Sequence, residues 1–141
     1  MLTSTQIENT RLAYAIMLAT PAHKIELNVV RDGRKPREDA DVLNPLCGSA
    51  GCIAGVLSAY PQFQVQGLRW KGTDLEKVDH IYGLDLDFKL FGSPFIFDGG
   101  HSGIHGKREA LERLRLHMEQ NSMLTSEENA KMRKVAQELT E

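Results

Sequence analysis

Three capping boxes constrain this sequence more than any other feature, because each one marks the first turn of a helix. In a capping box, a hydroxyl side chain and a Gln or Glu three residues later satisfy backbone N–H groups that the opening helix leaves without partners. The boxes begin at Thr3, Thr73 and Thr125. The sequence therefore predicts three helix starts, and the first helix is expected to run over residues 4–19 and to end before Pro21.

Apolar residues recur every three or four positions after the first and third boxes and after Gly106, as they do on helices that bury one face. The second half of the first helix is apolar on most sides, which predicts a central place in the core. Another helix is predicted from about Gly106, and it leads into the helix of the third box. The apolar residues of these two C-terminal helices are Ile104, Leu111, Leu114, Met118, Met132, Val135, Ala136 and Leu139.

Two segments alternate apolar and polar residues, which is the pattern of half-buried strands. They cover residues 24–30 and 63–70, and Gly67 interrupts the second one. The sequence therefore predicts an α+β fold that is mainly helical, with about five helices and a short two-stranded antiparallel sheet. A length of 141 residues suits one globular domain over residues 1–141.

Charge and hydropathy exclude several classes of partner. The net charge is −2 and the isoelectric point about 6.2, so nucleic-acid binding through phosphate neutralisation is not expected. The sequence contains no apolar run of about 18 residues and no signal-peptide pattern at its start, so no membrane contact and a cytoplasmic location are predicted. The composition says nothing about oligomeric state.

The two cysteines and two of the histidines are the candidates for metal or thiol chemistry. Cys47 and Cys52 have four residues between them and no second pair, so burial as small apolar side chains is the favoured interpretation. His101 and His105 are separated by a glycine-containing segment that disfavours a shared helical face, and solvated loop histidines are expected. No metal, no cofactor and no catalytic residue is predicted.

A glycine-rich segment over residues 98–108 is the best candidate for binding a small anion. Such segments can hold phosphate groups through backbone N–H groups at the start of a helix. The segment matches neither a P-loop nor a dinucleotide-binding fingerprint. The predicted ligand-binding residues are Asp98, Gly100, His101, His105, Lys107 and Arg108.

Four of the nine aromatic residues fall in a short stretch of the chain, residues 88–97. Core packing is the first interpretation of these side chains, and a docking patch for another protein is the second. The predicted protein-contact residues are Phe88, Phe91, Phe95 and Phe97.

Residues 47–55, CGSAGCIAG, resemble a motif of small uncharacterised bacteriophage and bacterial proteins, C-G-T-A-G-C-I-A-G-W. Ser49 and Val56 stand where that pattern has threonine and tryptophan. The resemblance implies a phage or bacterial cytoplasmic origin and carries over no catalytic residue. The small residues themselves predict a short buried helix from about Ala50, because they let another backbone approach closely.

Three functions follow from these patterns. The favoured one is a non-enzymatic protein that binds another protein, and a phage origin would make a host or defence factor the expected target. The alternative is a binding module for a small phosphorylated or nucleotide-like ligand at residues 98–108. The second alternative is a thiol- or metal-dependent enzyme, and an enzyme is the less favoured class.

Overall fold

The computed structural model describes residues 1–25, 53–68, 88–92 and 101–139. These residues are mainly helical. The elements are α1 (Ser4–Ala19), a 3₁₀ helix (Ala22–Lys24), α2 (Ile53–Leu57), α3 (Pro61–Gln64), α4 (Gly103–Gln120) and α5 (Ser126–Gln137), and residues 88–91 are also helical.

The first capping box forms as predicted. The backbone N–H of Gln6 donates to Thr3 Oγ1 at 3.1 Å, and the N–H of Thr3 donates to Gln6 Oε1 at 2.9 Å. At the other end, the N–H of Thr20 donates to the carbonyl of Ile16 at 3.0 Å, and Pro21 cannot continue the helix. The predicted bounds of α1 are confirmed.

The third capping box forms in the same way at the start of α5. The N–H of Glu128 donates to Thr125 Oγ1 at 3.1 Å, and the N–H of Thr125 donates to Glu128 Oε1 at 3.0 Å. The predicted start of this helix is confirmed. The box that begins at Thr73 lies outside the described residues.

The predicted two-stranded sheet is wrong, because the described residues contain no sheet and the fold they form is mainly helical. Residues 63–64 belong to α3, and the N–H of Leu68 donates to the carbonyl of Phe63 at 3.0 Å. Pro61 starts this helical turn, and Gly67, with φ +103°, closes it. The rest of the two predicted strands, residues 26–30 and 69–70, lies outside the described residues.

The apolar residues that suggested a strand at residues 63–68 belong instead to a short helical turn, which buries some of them and exposes others. Phe63 and Leu68 are fully buried, whereas Val65 is 84% exposed. Lys24 ends the 3₁₀ helix. Within the described residues Ile25 forms an isolated bridge, in which its carbonyl accepts from the N–H of Gly103 at 3.0 Å. An apolar pattern of only a few residues is therefore compatible with a strand and with a helical turn.

Helix α4 begins at Gly103, three residues before its predicted start near Gly106. Gly103 has φ +64°, a left-handed conformation that glycine adopts without a steric penalty. A Cβ at Gly106 would overlap the carbonyl oxygen of His101. The glycines that predicted a loop therefore mark a sharp entry into the helix and a close backbone approach.

The core lies between α1, α2, α3, α4 and residues 88–91. Helix α4 packs against α1, the 3₁₀ helix and α5, and α2 packs against α1. The rings of Phe63 and Phe91 pack at a centroid distance of 5.9 Å. Other fully buried core residues are Ala13, Met17, Ile53, Leu57, Leu90, Ala110 and Leu114. In the parts of the chain that the structure describes, no helix has the length and apolarity needed to cross a membrane.

Polar side chains on α1 hold residues 88–91 in place. The amide of Asn9, buried to all but 4%, donates to the carbonyl of Leu90 at 3.0 Å and to Gln66 Oε1 at 2.9 Å. Gln6 donates to the carbonyl of Phe88 at 3.1 Å. These bonds satisfy carbonyl groups at the end of the helical turn, so the turn is tied to α1 by backbone atoms as well as by packing.

Candidate functional site

A pocket of about 470 Å³ opens where the segment after α1, the start of α4 and the C-terminal residues of the described chain meet. This volume lies within the roughly 300–1,000 Å³ typical of small-molecule sites. Most of its wall is apolar. The lining residues are Pro21, Ala22, His23, Gly103, Ile104, Lys107 and Leu139.

Lys107 is the most enclosed polar residue of this pocket, with 8% of its surface exposed. Its Nζ donates to the carbonyls of Leu18 and Thr20, each at 2.7 Å. An ammonium group has three N–H donors. The third one finds no acceptor among the described residues, and no carboxylate in those ranges pairs with it.

The electrostatic setting of Lys107 has two opposing parts. Burial lowers the pKa of the Lys107 ammonium from its ordinary value, because desolvation disfavours the charged form. The carbonyls at the C-terminal end of α1 favour the same cation, since they form the negative end of the helix dipole. The result is a buried cation that is hydrogen-bonded but not neutralised by any carboxylate of the described residues.

The start of α4 also borders the pocket, through Gly103 and Ile104. Ser102, which precedes this helix, makes no side-chain capping bond. The first turn of a helix carries partial positive charge. It adds to the charge of Lys107 at the same wall, so the potential there favours an anion.

The other predicted ligand residues are placed differently. Arg108 donates from Nε to the carbonyl of Ala136 at 3.0 Å and from Nη2 to that of Leu139 at 2.7 Å, so it holds the end of α5. The Nδ1 atom of His101 lies 2.8 Å from Glu109 Oε2. The pKa of Glu109 is lowered chiefly by the hydrogen bond from the backbone N–H of His101, which favours a charged carboxylate at this position.

Of the predicted ligand side chains that the structure describes, only Lys107 lines the pocket. His101 and His105 are both exposed and their ring centroids lie 6.3 Å apart, but no group of three metal-ligating side chains occurs in the described ranges. Asp98 and Gly100 lie outside those ranges, as do Cys47 and Cys52.

The predicted protein-contact residues are divided between core and surface. Phe91 is fully buried against Phe63, in agreement with the core interpretation. Phe88 is 52% exposed. Phe95 and Phe97 lie outside the described residues.

Sequence reasoning missed the residues that form the apolar wall of the pocket. Pro21 was recognised only as the end of a helix, and Leu139 only as a member of an apolar stripe. Ala22 carries no signal of its own. Their meeting with Lys107 depends on how α1 and α5 pack against α4, and no local pattern contains that information.

Comparisons with protein-family models, with curated proteins and with solved structures returned no match. The resemblance of residues 47–55 to small phage and bacterial proteins stays a prediction. The geometry of the pocket is consequently the main basis for a functional proposal.

Proposed function

We propose that this protein is a non-enzymatic module that binds a small organic anion in the pocket at the start of α4. The buried ammonium group of Lys107, with no carboxylate partner among the described residues, carries this proposal. A charge that is removed from water without a counter-charge is costly. An anionic ligand group would supply the missing charge and accept the remaining N–H.

Three further features support the proposal. The pocket has the volume of a small-molecule site, and its described lining residues form a mostly apolar wall with Lys107 as the charged group, which is the usual composition of such sites. The first turn of α4 adds positive potential at the same wall. The position also falls within residues 98–108, the segment that the sequence marks as the best candidate for anion binding.

The competing interpretation of Lys107 is purely structural. Its two hydrogen bonds satisfy the carbonyls of Leu18 and Thr20, so it could serve only to close the end of α1. The two interpretations differ in one measurable respect, because a structural cap requires no ligand.

A thermal-shift panel distinguishes them. The probes are octanoate, octyl phosphate, AMP and the neutral octanamide, each at millimolar concentration, with the wild-type protein, Lys107→Met and Lys131→Met. Lys131 is the matched control, since its side chain is 76% exposed on α5. A ligand present at about 100 times its Kd stabilises the folded state by about 2.7 kcal/mol. That corresponds to a rise in Tm of roughly 5–10 °C for a chain of this size.

The expected result is that at least one anion raises the Tm of the wild-type protein and of Lys131→Met, but not that of Lys107→Met. If none of the anions changes the Tm of the wild-type protein, the structural interpretation of Lys107 is sufficient and the proposal fails. If Lys107→Met does not fold, isothermal titration of the wild-type protein with the same probes still decides whether an anion binds.

A second candidate function is the recognition of another protein, which the sequence favoured. Phe88 supports it, because an aromatic side chain with half its surface exposed is typical of contact residues. If the chain comes from a phage, a cytoplasmic host or defence factor is the expected target. The test is affinity capture from bacterial lysate with wild-type protein, Phe88→Ser and the control Val65→Ser, since Val65 is also exposed. A stoichiometric partner that is lost only with Phe88→Ser supports this function, and equal capture by all three proteins contradicts it.

A further inference from the structure

We infer that the anion is a monocarboxylate with an apolar body, whose carboxylate accepts a hydrogen bond from Lys107. This inference rests on the proposed binding function and specifies the ligand class. It follows from the charge, the hydrogen-bond donors and the apolar walls of the pocket.

The charge of the pocket matches a monoanion. Lys107 is the one lysine or arginine among the described residues that line the pocket, and none of those residues is acidic. His23 also lines the pocket but is exposed. Arg108, the nearest arginine in sequence, is engaged with the carbonyls of Ala136 and Leu139. A dianionic phosphate monoester would therefore bring more negative charge than the lining side chains neutralise.

The number of hydrogen-bond donors on Lys107 also favours a monocarboxylate. Two of the three N–H groups of Lys107 are taken by the carbonyls of Leu18 and Thr20. One N–H remains, which suits a single carboxylate oxygen. A phosphate group presents three strong acceptor oxygens and is usually held by several charged donors or backbone N–H groups. At the start of α4, the N–H of Gly103 already donates to the carbonyl of Ile25 and that of Gly106 to the carbonyl of Ser102.

The remaining walls are suited to an apolar ligand body. They are formed by Pro21 and Ala22 on one side, by Ile104 at the start of α4, and by Leu139 near the end of the chain. A volume of about 470 Å³ holds about 16 water-sized groups at the roughly 30 Å³ that each occupies in the liquid. A medium-chain fatty acid such as octanoate fits within this volume and would bury its hydrocarbon chain against these side chains.

Isothermal titration calorimetry with three probes of equal chain length tests the ligand class on the wild-type protein. Octanoate carries the carboxylate, octanamide is its neutral counterpart, and octyl phosphate carries a larger anionic group. We expect octanoate to bind at least about tenfold more tightly than octanamide, which is the usual effect of a charged hydrogen bond. Octyl phosphate is expected to bind no more tightly than octanoate.

Two variants locate the carboxylate. Lys107→Met should remove the preference for octanoate over octanamide. His23→Glu introduces a negative charge at an exposed lining position and should weaken octanoate binding about two- to fivefold more than it weakens octanamide binding. Because His23 is exposed, this variant keeps the test valid even if Lys107→Met does not fold. Lys131→Met again serves as the control and should behave as wild type.

The outcomes separate this inference from the proposed function. Tighter binding of octyl phosphate or of AMP, dependent on Lys107, would overturn the monocarboxylate class while supporting an anion-binding module. Equal binding of octanoate and octanamide would show that the pocket does not recognise the carboxylate. If no anion binds at all, both the ligand class and the proposed function are wrong.

Discussion

Replacing Gly106 with alanine sets two physical effects against each other. Helix propensity alone favours the change, because alanine is about 1 kcal/mol better than glycine inside a helix. The tertiary structure opposes it, since a Cβ on this buried residue would overlap the carbonyl oxygen of His101 and lie 2.9 Å from its carbonyl carbon. These are backbone atoms, so no side-chain rotation can relieve the contact.

The cost of the substitution follows from what would have to move. His101 lies two residues before Gly103, whose N–H donates to the carbonyl of Ile25 at 3.0 Å. A shift of the His101 backbone would therefore disturb this hydrogen bond. A forced shift costs about 1–3 kcal/mol as overpacking, and weakening this bond adds up to about 1 kcal/mol. These costs come to about 1–4 kcal/mol, and after the gain in propensity is subtracted Gly106→Ala should lower the free energy of unfolding by about 0–3 kcal/mol, with a middle value of about 1.5 kcal/mol.

Urea unfolding followed by circular dichroism measures this difference. Gly103 provides the matched control, because it has φ +64° and no atom lies within 4 Å of its hypothetical Cβ. Gly103→Ala should cost about 1–2 kcal/mol through its left-handed conformation, and Gly103→Asn should cost less because asparagine tolerates that conformation. If Gly106→Ala is more stable than the wild-type protein, as helix propensity alone predicts, the close approach of His101 to α4 is wrong.

Three more predictions concern buried polar groups. The Nε2 of His117 donates to the carbonyl of Phe91 at 2.6 Å, and burial lowers the pKa of this histidine. Below about pH 6.5 the unfolded chain therefore takes up a proton more readily than the folded protein does, so the free energy of unfolding should fall as the pH drops. Urea unfolding between pH 4.5 and 7.5 should show a smaller loss for His117→Gln, and an unchanged profile would contradict this assignment. Arg115 is 4% exposed and donates hydrogen bonds to three side chains on α4 and α5. Arg115→Met should therefore lower the free energy of unfolding by about 1–3 kcal/mol. An unchanged urea midpoint would contradict a role of Arg115 in packing α5 against α4. Because the pKa of Lys107 is lowered, octanoate affinity should decline with rising pH before the ordinary lysine value of 10.5 is reached; calorimetry from pH 7 to 10 tests this, and constant affinity would contradict it.

The two confirmed helix starts show which part of the fold is local. The boxes at Thr3 and Thr125 each close a pair of hydrogen bonds within four consecutive residues. Such bonds form wherever the chain turns into a helix, whatever packs against it. For this reason the first helix could be predicted with its bounds and α5 with its start.

The predicted strand at residues 63–70 failed because its pattern is compatible with two structures. Phe63 and Leu68 are both buried, and a strand or a closed helical turn can bury residues at such spacings. The choice was made by the packing of Phe63 against Phe91, a contact between residues distant in sequence. The glycines near α4 were ambiguous in the same way, because a loop and a close backbone approach both call for glycine.

In the candidate site, too, some properties depend on neighbouring residues and others on tertiary packing. By itself, the sequence determined where α1 and α5 begin and that the residues which the structure describes are mainly helical, because these properties depend on neighbouring residues. It also predicted an anion-binding segment that contains Lys107. Only the tertiary structure decided that Lys107 is buried beside Pro21 and Leu139 and that Arg108 is engaged elsewhere. A pocket depends on the distances between distant segments, and those distances are set when α1 and α5 pack against α4.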